Sequence, residues 1–154
     1  MPPQTSVQVS PMERALAEAQ AAGARGEVPI GAVVTASDGM VIAAAGNRTR
    51  ELSDPTAHAE MLVIRSACAS LGSERLVGCD LYVTLEPCPM CAAAISFARI
   101  RRLYYGAPDP KGGGAEHGAR VFNQPTCHHA PEIYEGLDEE RSAMLLKAFF
   151  QGRR

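Results

Sequence analysis

The sequence predicts an α/β fold, a three-layer α/β/α sandwich around a mixed sheet of about five strands. Three observations lead there. Short β-rich runs alternate with segments of helical periodicity, which implies strands joined by covering helices and a partly parallel sheet. Two early β-rich runs are separated only by the turn residues Ser37-Asp38-Gly39, so the sheet opens with an antiparallel hairpin. The chain has 154 residues, of which 46% are hydrophobic and 21% charged, enough for one core and too apolar for a disordered tail. Residues 1–154 are therefore expected to form a single domain, with residues 1–9 a flexible lead-in.

Ser10-Pro11-Met12-Glu13 reads as a capping box with proline at the first helical position. Met12, Leu16, Ala19 and Ala22 follow at helical spacing, so a first helix runs to about Ala24. Residues 30–36 and 40–45 are the hairpin strands. A polar turn region ends in Asp54-Pro55-Thr56. A second helix, about residues 57–71, is expected to bury Met61, Ile64, Cys68 and Leu71, and Gly72 stops it. Residues 81–85 form a short buried strand, residues 92–98 a helix apolar nearly all round, and residues 103–105 another strand. Residues 107–131 lack strong periodicity, and a loop of that length in a compact domain is usually functional. Ile133-Tyr134 is a short edge strand, and Asp138 caps a last helix through Phe150.

With 15 basic and 17 acidic residues the formal net charge is −2, which excludes a bulk polycation and leaves nucleic-acid contacts to local patches. No apolar stretch approaches a bilayer span, so no membrane association is expected. The N-terminus lacks a basic flank followed by an apolar run, so a cytoplasmic location is expected. Five cysteines, two of them in a C-x-x-C pair, point in an unsecreted chain to a metal or redox site and away from a disulfide framework.

The chemistry concentrates in His58-Ala59-Glu60 and Pro87-Cys88-Pro89-Met90-Cys91, each where a strand or loop enters a helix. Cys88 and Cys91 are three apart, so in a first helical turn they project to the same side, where the helix dipole favours thiolate. With His58 they make an N, S, S set that suits tetrahedral zinc and leaves one coordination position open, as in catalytic sites. Glu60 reaches the same centre only if the helix is just beginning there, and a carboxylate so placed serves as a proton shuttle. The competing reading of the cysteines, a thioredoxin-like redox pair, has no need of the upstream H-x-E.

H-x-E followed by P-C-x-x-C is the signature of the zinc-dependent nucleobase deaminases. The chain further resembles the bacterial tRNA adenosine deaminases over nearly its whole length. The resemblance rests on Glu27-Val28-Pro29-Ile30-Gly31-Ala32-Val33, Gly46-Asn47-Arg48, Asp54-Pro55-Thr56-Ala57-His58-Ala59-Glu60, residues 81–91, and Arg99-Ile100 with Tyr105-Gly106-Ala107. Asp109-Pro110-Lys111-Gly112-Gly113 and Phe149-Phe150 followed by Arg153-Arg154 complete it. It implies a cytidine-deaminase-like fold, one zinc per chain, a homodimer, and hydrolysis of adenosine to inosine at the wobble position of a tRNA anticodon, usually an arginine tRNA, with release of ammonia. His58, Cys88 and Cys91 match the ligands and Glu60 the shuttle. Asn47 matches a base-reading asparagine, Ile30 a wall of the base pocket, and Asp109 a contact near the ribose. The backbone at Leu85-Glu86 would face the exocyclic amine. Where the family often has Asn-His, this chain has His128-His129, so the contact of that asparagine either passes to His128 or is absent.

Other residues read more plainly. Cys68 and Cys79 are core thiols, and Cys127-His128-His129 lacks a fourth ligand for a second metal. By position alone Asn47 is a turn residue. Arg99, Arg101 and Arg102 read as a solvated edge. Phe149 and Phe150, about 100° apart on a helix, cannot both centre on one core stripe, which leaves one for base stacking. The apolar helix 92–98 exceeds what one small chain buries, in keeping with a second subunit. The nearest rival is a free-base deaminase, of guanine or cytosine; a structural zinc module would need a fourth protein ligand and no Glu60.

Overall fold

In the computed structural model, residues 9–152 are described; the expectation of a flexible lead-in therefore falls, but for Val9, outside the described residues, as do Arg153 and Arg154. Helix α1 spans Pro11–Ala24, strands β1 and β2 span Gly31–Thr35 and Val41–Gly46, and helix α2 spans Ala59–Leu71. Strand β3 (Asp80–Leu85), helix α3 (Pro89–Ala98), strand β4 (Arg102–Ala107), strand β5 (Glu132–Tyr134) and helix α4 (Glu139–Gln151) follow. A single 3-10 turn, Val121–Asn123, interrupts the long loop.

The strands form one sheet in the order β2-β1-β3-β4-β5. The β1–β2 and β1–β3 pairs are antiparallel; β3–β4 and β4–β5 are parallel. This is the mixed sheet the sequence predicts, with the crossover helix α3 joining parallel neighbours. Side chains alternate between the two faces with the strand period of two. Ala32, Val34, Leu81 and Val83 point to the layer holding α2 and α3. Val33 and Tyr82 point to the opposite layer, with Met12 and Leu16 of α1 and Leu145 of α4. Leu81, Val83, Ile95, Ile100 and Leu103 are fully buried on the α2/α3 side. Each such side chain contributes roughly 1.5–3 kcal/mol by leaving water, so the side that carries the metal-ligand helices is also the more strongly anchored.

Ser10 accepts the Glu13 N–H at 3.1 Å and caps α1 as its sequence predicts. Gly72, with φ of 63°, ends α2 in the left-handed conformation that glycine adopts without a Cβ penalty. Two expectations are corrected. The buried face of α2 is Ala59, Glu60, Val63, Ile64 and Ala67, whereas Leu71 is 50% exposed. The stripe is rotated: the polar Glu60 is turned inward, and the small Ala59 and Ala67 are fully buried. Asp138 stands at the N-cap of α4, but in the left-handed conformation (φ 55°) and without a side-chain cap bond.

On the α1/α4 face Tyr82, Tyr104 and Tyr134 stack across β3, β4 and β5, with ring centroids 4.4 and 4.9 Å apart. The parallel registers Tyr82–Tyr104 and Tyr104–Tyr134 place them side by side. Arg101 donates two bonds to Asp80, and Arg102 pairs with Glu132, so this expected solvated edge is largely paired.

Candidate metal centre and active site

The loop from β2 delivers His58 as the N-cap of α2, and β3 delivers Cys88 as the N-cap of α3 with Cys91 one turn on. Pro87 and Pro89 hold the entry extended and then start the helix, since proline at the first helical position loses no needed N–H. Helices α2 and α3 pack on the same face, so the two helix starts meet. His58 Nδ1 lies 3.6 Å from Cys88 Sγ and 3.5 Å from Cys91 Sγ. The three ligand atoms all lie within 4.8 Å of one another. Two thiols and one imidazole converging without a fourth protein ligand among the described residues fit zinc with one position left open.

The thiols are electrostatically unequal. A hydrogen bond from Cys91, outweighing burial, together with His58 lowers the Cys88 thiol to about 4, while the Cys88 sulfur and burial push Cys91 up. His58 is raised by its contact with Cys88. Binding of a divalent cation there would release the protons these ligands hold.

Glu60 is 4% exposed, in the first turn of α2 beside His58 and Cys91. Burial pushes its carboxyl up to about 7, against the pull of its own backbone N–H and of His58. A group poised near neutrality both accepts and returns protons, and a cation at the neighbouring ligands would favour its ionised form.

Asn47 is buried, and its Oδ1 accepts the Ala59 N–H at 3.2 Å. The carboxamide thereby satisfies an orphan donor at the start of α2 and its orientation is fixed, with the Nδ2 end left as the donor side. The Asn47 N–H in turn donates to the Ile30 carbonyl at 3.0 Å. Ile30, Asn47 and the start of α2 that carries His58 and Glu60 are thus linked in one chain of hydrogen bonds. Leu85 ends β3 opposite Ala107 of β4, half-buried. Asp109 follows β4 directly, and its Oδ1 accepts the Gly112 N–H at 2.9 Å.

The remaining predicted contacts lie on other elements. His128 is exposed and packs against Phe97 of α3, ring centroids 5.7 Å apart. Phe149 and Phe150 meet edge to face at 5.3 Å on α4, in the layer opposite the metal ligands; Phe150 is 56% exposed and Phe149 half-buried. Cys127 bonds with Ser96 and the His129 carbonyl, and His129 Nε2 lies 2.8 Å from the Ile100 carbonyl, so this segment is tied to α3.

Two buried carboxylates escape a sequence reading. Glu27 accepts the backbone N–H of Arg50 and Glu51 and holds the turn that leads to His58. Glu86 does the same for the loop after β4. Burial alone would raise it, but the backbone N–H groups of Asp109 and His117 and the His117 ring outweigh burial and lower it. Both acids fall inside matched motifs, yet their partners lie more than twenty residues away, a relation no local pattern displays.

Residues 6–107 match the family described as the cytidine and deoxycytidylate deaminase zinc-binding region. The chain is 69% identical over 143 residues to the tRNA-specific adenosine deaminase of Agrobacterium fabrum, covering 93% of each. It is 45% identical over 140 residues to the tRNA-specific adenosine deaminase of Bacillus subtilis, covering 91% of this chain and 86% of that one. A structure solved in a study of A-to-I editing by tRNA:A34 deaminases superposes with a TM-score of 0.86 at 70% identity, covering 88% of this chain and 98% of that one. A guanine deaminase from Bacillus subtilis superposes with a TM-score of 0.64 at 33% identity over 92% of each chain. The ligand geometry, the inward-turned Glu60 and these likenesses agree: the chain is a zinc-dependent hydrolase belonging to the cytidine and deoxycytidylate deaminase family, in its branch of bacterial tRNA-specific adenosine deaminases.

Proposed function

We propose that this enzyme converts adenosine to inosine at the wobble position of a tRNA anticodon, that of an arginine tRNA, and releases ammonia. The observation that carries the reading is the buried Glu60 beside the His58–Cys88–Cys91 group, on a chain so close to named tRNA-specific adenosine deaminases. Zinc, which His58, Cys88 and Cys91 would hold, would supply Lewis-acid chemistry that makes water a usable nucleophile near neutral pH. Glu60 carries one proton from the attacking water to the purine N1 and then the second, from the new C6 hydroxyl, to the C6 amine, so that the amine leaves as ammonia and a carbonyl remains. The Asn47 Nδ2 donates to an acceptor on the purine edge, Ile30 walls the base, and the backbone at Leu85 faces the departing amine. Asp109 meets the ribose. His128 and the α4 phenylalanines are assigned to flanking nucleotides, with Arg153 and Arg154 on phosphates.

A homodimer is part of the same proposal. Phe97, on the outer side of α3, is 63% exposed, beside a cavity of about 560 Å³ lined by Ala93, Val121 and His128 among others. Among the described residues no helix is long and apolar enough to cross a membrane. The proposed tRNA substrate supports a cytoplasmic location.

Incubating an arginine tRNA transcript with the enzyme and counting inosine at the first anticodon position against ammonia released tests this reading. One ammonia per wobble inosine is expected. Ammonia without inosine, or inosine only in other tRNAs, overturns the corresponding part.

A further inference from the structure

The Glu86 side chain is fully buried, yet five donors converge on it. Its Oε1 accepts the Asp109 N–H at 3.0 Å and lies 2.7 Å from His117 Nδ1. Its Oε2 accepts the N–H groups of Ala115, Glu116 and His117 at 3.2, 3.0 and 2.9 Å. A buried carboxylate is tolerated only when its lone pairs are satisfied, and four backbone N–H groups of one loop would be orphaned without it. The carboxylate and the loop conformation therefore require each other.

The segment has little apolar burial of its own to hold that shape. Residues 108–118 carry Gly112-Gly113-Gly114 and a further Gly118, with Ala115 the one buried apolar side chain in this stretch. Such a run is entropically costly to order. Its glycines are also needed: a Cβ at Gly114 would stand 2.6 Å from Pro89 N and 2.7 Å from the Cys88 carbonyl carbon. The Gly114 N–H donates to the Pro87 carbonyl at 2.7 Å. The loop thus lies directly across the turn that carries Cys88. It leaves the carboxyl end of β4, parallel to β3, where ligands of α/β sheets bind.

We infer that Glu86 is a positioning residue: its buried carboxylate seats residues 108–118 on the metal-ligand turn and sets where Asp109 meets the RNA. The inference rests on the proposed RNA substrate for its kinetic consequence but not for its structural one. In Glu86→Gln one end of the amide becomes a donor facing donors. An amide turned to keep its oxygen on the Ala115, Glu116 and His117 N–H groups leaves the Asp109 N–H without an acceptor.

The test compares the zinc-loaded wild type with Glu86→Gln, Asp109→Ala and the double variant. The readouts are zinc content, amide hydrogen exchange, and KM and kcat on an anticodon stem-loop. Glu86→Gln is expected to keep about one zinc per chain, to speed exchange at Asp109, Ala115, Glu116 and His117, and to raise KM by about tenfold or more with kcat little changed. In the Asp109→Ala background its added effect on KM should shrink to within about twofold, because both changes act through one contact. An unchanged KM in Glu86→Gln, or full multiplication of the two effects where each change alone raises KM, overturns the inference. Should Asp109→Ala leave KM unaltered while Glu86→Gln still raises it, the seating by Glu86 stands and the ribose assignment of Asp109 falls. If no RNA is deaminated at all, the proposed substrate fails, and unaltered amide exchange would overturn the seating separately. If Glu86→Gln does not fold, His117→Ala, which removes one donor and leaves the carboxylate in place, should raise KM by a smaller factor of about three, and an unchanged KM there overturns the inference.

Discussion

The Asn47 carboxamide oxygen is committed to the Ala59 N–H, and that commitment separates two roles that one substitution would otherwise confuse. Asn47→Asp keeps an acceptor for the Ala59 amide but puts a carboxylate oxygen where the donor stood. Its melting temperature should stay within a few degrees of wild type, while kcat/KM on RNA falls by at least about tenfold. Equal activity in this variant would remove Asn47 from base recognition. Glu60→Gln should likewise keep zinc near one per chain, by metal analysis, while deamination drops by about 10⁴-fold or more, since one group serves several proton transfers. Near-normal turnover would refute the shuttle. His58, Glu60, Cys88 and Cys91 were legible from sequence because their spacing is short and tied to helix starts. Glu27 and Glu86 were not, because each is defined by amides more than twenty residues away.

At the scale of elements, most strands and helix ends followed their local signals, Asp138 at α4 excepted: Ser10 caps, Gly72 stops, Ser37-Asp38-Gly39 turns the chain. The inward face of α2 did not. Apolar periodicity favoured Met61, Cys68 and Leu71, but the helix is oriented by its site, which needs Glu60 inside, and hydrophobic patterning is blind to that. The long loop stands out in the sequence by its length, whereas its shape, held by Glu86, does not. Helix α4 gives the element-scale prediction. Phe150 is 56% exposed, so Phe150→Ala should leave the thermal melt and zinc content nearly unchanged. If it stacks on a splayed base, RNA affinity should fall by about 1–3 kcal/mol, measured by titration of a fluorescent stem-loop. Undiminished affinity would make α4 a structural layer only.

For the whole molecule, the layer order places both ligand-bearing helices on one face of the sheet and leaves Phe97 of α3 facing outward. Phe97→Glu should convert a dimer to a monomer in sedimentation experiments, because a charge on an apolar contact cannot be buried unpaired. A wild-type chain that sediments as a monomer would contradict the dimer. The fold is shared with a guanine deaminase of Bacillus subtilis, at a TM-score of 0.64, so the fold does not distinguish RNA from a free base. Direct competition does. Zinc-loaded enzyme is supplied with an anticodon stem-loop bearing a wobble adenosine together with free guanine and cytosine, and each product is quantified. Inosine in the RNA with both free bases untouched is the predicted result; ammonia drawn from guanine or cytosine while the wobble adenosine survives would contradict the account.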